Sequence, residues 1–156
     1  MRKDSRVIGV EAVIKAGTPA IKLLTFAVRG EPAPWTVYTR RGEPTLSFMR
    51  MKALQAQIAL TARAQMSRRI DSQPFGGPLR LEMEFYRSIP AGAQLDEYIK
   101  THIIARPDLR NLEKACEDAL KGILFIDDSQ VVSSEGTKGY TAGEPYTTIR
   151  LYRVEV

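Results

Sequence analysis

Asp108 and the pair Asp127-Asp128 are the residues whose type and spacing can do chemistry. Asp108 stands between an apolar stretch and a helix-forming one, and Asp127 and Asp128 follow that helix, where the chain turns back toward strand. A strand-helix-strand excursion of about 20 residues returns near its starting point, so Asp108 and Asp128 can converge at one end of a sheet. Two or three carboxylate oxygens meeting there make a hard-ligand site suited to Mg²⁺ or Mn²⁺. Such an ion activates a water and neutralises charge on a phosphodiester. A second reading needs no metal: Asp108 caps the helix by accepting from backbone N–H groups, and Asp127-Asp128 makes a turn. Spacing alone favours the cap and the turn. Lys114, in the first turns of the same helix, also has two readings. It can reach a phosphate, or pair with Asp118 four residues later on the helix surface.

The net charge of +5 is concentrated. Between Arg40 and Asp71 lie Arg40, Arg41, Arg50, Lys52, Arg63, Arg68 and Arg69, against only Glu43 and Asp71. That surplus equals the whole chain's, so the remainder is balanced. A basic stretch of this kind is the footprint of a polyanion-binding surface or, more plainly, a solvated helix face.

The chain, at 156 residues with 44% apolar and 26% charged positions, is sized and composed for one folded domain. No apolar run approaches the length of a membrane span, and no apolar core or cleavage site follows the charged start. One cysteine, Cys116, excludes an internal disulfide, and one histidine, His102, excludes a Cys/His zinc cluster. The cytoplasm is the default location.

The elements that must position the carboxylates follow from periodicity. Residues 1–20 read as an N-terminal arm with a strand over Val7 to Ile14, and residues 21–156 as the domain proper. Ile21 to Val28 is β-rich and ends at Gly30, before a loop in which Pro32 and Pro34 forbid helix. Trp35 to Tyr38 reads as a short strand before the basic turn Thr39-Arg40-Arg41-Gly42. Ser47 is the candidate N-cap of a helix to about Arg69, with Met51, Leu54, Ile58, Ala62 and Met66 at spacings of three and four. Gln73 to Pro78 breaks it, and Leu79 to Tyr86 alternates as a half-buried strand does. Ile89 to Tyr98 reads as loop and Thr101 to Ala105 as a short strand. Asp108 to Gly122 turns into a helix with Leu112, Ala115, Cys116, Ala119 and Leu120 inward. Short strands at Ile123 to Ile126 and Val131-Val132 and a last one at Thr147 to Val156 complete the order β-β-α-β-β-α-β-β. The class this predicts is α+β, a mixed sheet with helices packed on it.

The run Arg106-Pro107-Asp108-Leu109-Arg110-Asn111-Leu112-Glu113-Lys114, through Asp118-Ala119-Leu120 to Phe125-Ile126-Asp127-Asp128-Ser129-Gln130-Val131, resembles the signature of the RusA family of Holliday-junction resolvases. Phe26 to Pro34 is similar to that family's opening strand and Gly-x-Pro-x-Pro turn, and Pro74 to Leu81 to its central loop and strand. The likeness covers about residues 24–156. It implies a dimeric α+β endonuclease that recognises four-way DNA junctions by shape and nicks opposed strands with Mg²⁺ or Mn²⁺, in recombination and repair. By position it implies Asp108 and Asp128 as catalytic, metal-binding aspartates, Lys114 as the functional lysine and Asp127 as the neighbouring acid of the metal site. By analogy it also implies a phage or prophage origin, in the bacterial cytoplasm or nucleoid.

Arg110 departs from the pattern, standing where the family has a second aspartate. It removes one ligand and places a permanent positive charge where a divalent cation should sit. Its guanidinium can pair bidentately with Asp108, or swing out to DNA phosphate and leave a weaker site helped by Asp127 or Glu113. The outcomes are a weakened nuclease, a junction-binding protein with little cleavage, or an arginine introduced in place of the family's aspartate. Arg40, Arg41, Arg63, Arg68, Arg69, Arg110 and Lys114 are the candidate DNA contacts. Trp35 and Phe48 are candidate stacking wedges, with core packing the commoner fate. His102 and Cys116 read as structural. The apolar positions of the 47–69 helix are a candidate dimer surface, in competition with core burial.

Overall fold

The computed structural model describes residues 17–37 and 39–155. Residues 1–16, and with them the Val7 to Ile14 strand of the expected N-terminal arm, lie outside the described residues. One four-stranded sheet organises the chain, in the order β1-β6-β4-β5. Strand β1 is Ala20–Arg29, β4 is Leu79–Ser88, β5 is Val131–Thr141 and β6 is Tyr146–Val154. Strands β1 and β4 flank β6 antiparallel, while β5 runs parallel to β4. The class is α+β with a mixed sheet, as the sequence predicts. The β4–β5 pairing dictates the rest, because parallel neighbours need a long crossover. That crossover is residues 89–130, and it carries the aspartates.

Period-two patterning sets which face is buried. In β4, Leu79, Leu81, Met83 and Phe85 point inward, opposite Ile149 and Leu151 of β6 and beside Phe26 and Val28 of β1. The helix α1, Leu46–Ser67, lays Met51, Leu54, Ile58, Ala62 and Met66 on this face. These apolar positions are therefore spent in the protomer's own core and are not free to form a dimer surface. The N-cap is Thr45, two residues before the expected Ser47. Its extended backbone lets Oγ1 accept from the Phe48 N–H at 3.1 Å. Between β1 and α1, the basic turn forms a hairpin of β2, Thr39–Arg40, and β3, Glu43–Pro44. Arg41 and Gly42 both take positive φ, 54° and 81°, as a two-residue hairpin turn demands.

Several expectations fail. Thr101 to Ala105 is not a strand, and Ile89 to Tyr98 is not all loop: α2, Leu95–His102, occupies the join. Asp96 and Glu97 in its first turn and Lys100 and His102 in its last suit the helix dipole, and Tyr98 stacks on His102 with centroids 3.8 Å apart. The β-branched pair Ile103-Ile104 suggests strand, but Ile104 is 90% exposed and pairs with nothing in the sheet. Trp35 to Val37 form no strand either; the Trp35 N–H donates to the Asn111 carbonyl at 2.8 Å instead. Val131-Val132 is not a short strand by itself but opens one of 11 residues. Ile123 to Ile126 is a turn, stitched to Phe75 by the Phe75 N–H to Leu124 carbonyl bond of 2.8 Å.

The third helix, α3, Leu109–Leu120, buries Leu112, Ala115, Cys116 and Leu120 against α1 and the sheet. Burial pushes the Cys116 thiol far up, which leaves it an inert core residue. No described helix is long and apolar enough to cross a membrane.

Candidate active site

The approach to Asp108 is held from three sides. Glu31, in the turn after β1, accepts from Arg87 Nε at 3.1 Å and from Ser88 Oγ at 3.0 Å at the end of β4. Arg87 Nη1 in turn donates to the Arg106 carbonyl at 3.1 Å. Lys138, on the inward register of β5 beside Phe85, donates through Nζ to the carbonyls of Ala105 and Pro107 at 2.8 and 3.3 Å. These charge-assisted bonds fix the backbone on which Asp108 sits.

Asp108 occupies the N-cap position of α3 with extended backbone, and its carbonyl accepts from the Asn111 and Leu112 N–H groups at 3.1 and 3.2 Å. Its side chain makes no cap hydrogen bond. The helix therefore forms without using the carboxylate, which stands exposed on a cleft of about 950 Å³. Asp108, Arg110, Asn111 and Glu113 line one wall of the cleft, and residues 134–138 of β5 line the other. Glu113 reaches across to the strand, so close that a Cβ at Gly136 would collide with its carboxyl group. Burial raises the Glu113 carboxyl above its ordinary range, and the Arg110 charge partly offsets this. Arg110 is exposed and takes part in none of the ion pairs among the described residues. The bidentate Arg110–Asp108 pair is absent from them.

Asp127 and Asp128 lie beyond the C-terminal end of α3, in the turn that leads into β5. Asp127 caps a single 3₁₀ turn, Asp128–Gln130, in a reciprocal box with Gln130. Its carboxylate accepts from Ser129 Oγ at 2.9 Å and lies 3.7 Å from Lys121 Nζ. Hydrogen bonding with Asp128, then with Ser129, holds the Asp127 carboxyl below its usual range. Gln130 locks this turn to the loop that leads into β4, donating to the Phe75 and Gly77 carbonyls at 2.9 and 3.1 Å. Asp128 is exposed just before β5 begins, whereas Asp108 lies beside residues 134–138 of that strand. The cleft is lined by Asp108 but not by Asp127 or Asp128. Glu117 stands in the second half of α3. Burial, then the charges of Glu113, Asp128 and Asp118, push its carboxyl up.

Among the described residues no three or more His, Cys, Asp or Glu side chains gather closely enough to hold a metal. The oxygen donors of the cleft suit Mg²⁺ or Mn²⁺ by kind. Such ions commonly take only one or two carboxylates together with substrate phosphate, so an open cleft with Asp108 and Glu113 fits that mode rather than an all-protein cage.

Lys114 lies outside the cleft lining. Its ammonium sits over the Trp35 ring, 3.6 Å from the centroid, and no described ion pair joins it to Asp118. Trp35 and Phe48 are both half-buried against the core, yet both line a cavity of about 460 Å³ together with Lys52, Gln55 and Asp118. Arg40 and Arg41 stand exposed on the hairpin, and Arg63 and Arg68 on α1. Arg69 instead folds back over Phe75, 3.9 Å from that ring's centroid.

Sequence reasoning missed Lys138 and Glu117. Ser133, Ser134, Gly136 and Gly139 weaken the β signal over 131–141, and without a strand the face of Lys138 cannot be assigned. Glu117 was legible as the residue four after Glu113, a spacing that sets like charges side by side.

The sheet, the long crossover and a cleft carrying carboxylate and basic side chains at a helix start define an α+β protein with a charged candidate site. The family model for the endodeoxyribonuclease RusA matches residues 30–152, most of the chain. The chain belongs to the RusA family, whose membership implies a nuclease acting on DNA junctions. No curated protein matches it.

Proposed function

We propose that this protein is a Mg²⁺- or Mn²⁺-dependent endonuclease that binds four-way DNA junctions as a homodimer and resolves them by paired nicks in recombination and repair. The observation that carries the reading is the Asp108 carboxylate, which leaves its helix uncapped by side chain and opens on the cleft. The ion, when bound, activates water and neutralises phosphodiester charge. Asp108 is the primary ligand and Glu113 its half-buried neighbour in the cleft. Asp128, with Asp127 behind it, is carried over from the family signature as a metal-binding catalytic aspartate. Lys114 contacts phosphate. Arg40, Arg41, Arg63, Arg68 and, less directly, Arg69 supply backbone contacts that position the junction without reading sequence. A location with DNA in the bacterial cytoplasm follows from this activity.

A second reading has its own observation: Arg110 lines the same cleft as Asp108 where the family has an aspartate. Under it the protein binds junctions and cleaves little. Titrating Mn²⁺ over a synthetic four-way junction separates the two. Paired nicks abolished by Asp108→Asn and Asp128→Asn support the nuclease, whereas salt-sensitive binding without nicks supports the second reading. Arg110→Asp should raise both metal affinity and nicking, because it removes a fixed cation from the cleft and restores a ligand. If it changes neither, the role given to Arg110 is wrong.

A further inference from the structure

Arg110, Lys114 and Asp118 recur at intervals of four and so share one face of α3. On an isolated helix Lys114 would fall onto an opposite charge one turn on, Asp118 at i+4 or Glu117 at i+3. In the folded chain its ammonium rests instead on the Trp35 ring. The ring's position is set by backbone. Gly30 turns the chain with φ of 124°, Pro32 and Ala33 are buried, and the Trp35 N–H is tied to the Asn111 carbonyl one turn before Lys114. Asp118 lines the same cavity as Trp35 and stands one turn after Lys114 on α3, so the helix spacing keeps it within reach of the lysine.

We propose that Trp35 is a positioning residue for Lys114, holding its ammonium on the ring face and away from Asp118, so that the charge stays available to a substrate phosphate. A ring attracts a cation through its quadrupole without hydrogen-bonding or neutralising it, whereas a carboxylate does both. The lysine is thus kept ready rather than quenched. This rests on the reading of the protein as a junction-binding nuclease, but the ring–ammonium contact can be tested apart from it.

Trp35 is the chain's one tryptophan, so tryptophan fluorescence reports the surroundings of this ring and no other. In the full-length protein without DNA, Lys114→Met should alter Trp35 emission, and unchanged emission overturns the proposal. On a synthetic four-way junction, Trp35→Leu should weaken binding about three- to fivefold, the size of an exposed cation–π contact. It should also lower the slope of log K against log salt by about one, as Lys114→Met should, since one phosphate contact is lost. Trp35→Phe should retain most of the binding. The deciding variant is Trp35→Leu/Asp118→Asn, which should recover the lost affinity by removing the competing carboxylate. A merely structural tryptophan gives a lowered melting temperature and no recovery. Should the wild type bind no junction, the functional reading fails while the fluorescence comparison still decides the contact.

Discussion

Glu117 shows how one side chain records its surroundings. Its carboxyl is raised by burial first and then by Glu113, Asp128 and Asp118, so the folded state disfavours its ionised form. A carboxyl raised on folding lends stability below its unfolded value, here 4.5, and that contribution is lost as pH rises through the folded value. Glu117→Gln should therefore raise the melting temperature at pH 7 to 8 and leave it unchanged near pH 4. A thermal melt across that range checks this, and a variant less stable at pH 8 would contradict it. Gly136 makes the opposite point, since its lack of a side chain is what Glu113 uses. Gly136→Ala should push the Glu113 carboxylate off β5 into the cleft. The expected result is altered Mn²⁺ affinity with a loss of stability of about 1 to 3 kcal/mol, measured by denaturant titration.

Among the elements, α1 links core to charge. Its apolar stripe is buried, which obliges Arg63 and Arg68 to face out, and its register is set at the start by Thr45. Thr45→Ala should cost about 0.5 to 2 kcal/mol of stability by orphaning the Phe48 N–H. Ser47→Ala, at the position the sequence favoured, should cost less. Comparing the two chemical-denaturation midpoints decides which residue caps the helix. The crossover elements were harder to read. A helix of eight residues with no buried position, such as α2, leaves little apolar periodicity, and Ile103-Ile104 mimics a strand. Strand β5 was hidden for the converse reason, because its glycines and serines are tolerated only through pairing with β4.

For the whole molecule, stability rests on one core shared by the sheet, α1 and α3. Leu151 of β6 is fully buried opposite Leu81, near the middle of the sheet. Leu151→Ala should cost about 2 to 5 kcal/mol, with far- and near-ultraviolet circular dichroism lost together, as in a single cooperative domain. Transitions at separate midpoints would instead show a core divided between units.

By itself the sequence determined the class, the main helices, three of the four sheet strands and the family, since these rest on local periodicity and on an ordered run of motifs. Asp108 was legible as a carboxylate at a helix start. What it does there was not, because a cap and a free ligand share the same residue, spacing and backbone. Only the tertiary structure decided that Asp108 faces a cleft, that Asp127 holds a turn, and that Lys114 meets Trp35 rather than Asp118. Those outcomes depend on which distant segments pack against α3, and residues 31–37 and 131–141 reach it only once the sheet has closed its crossover.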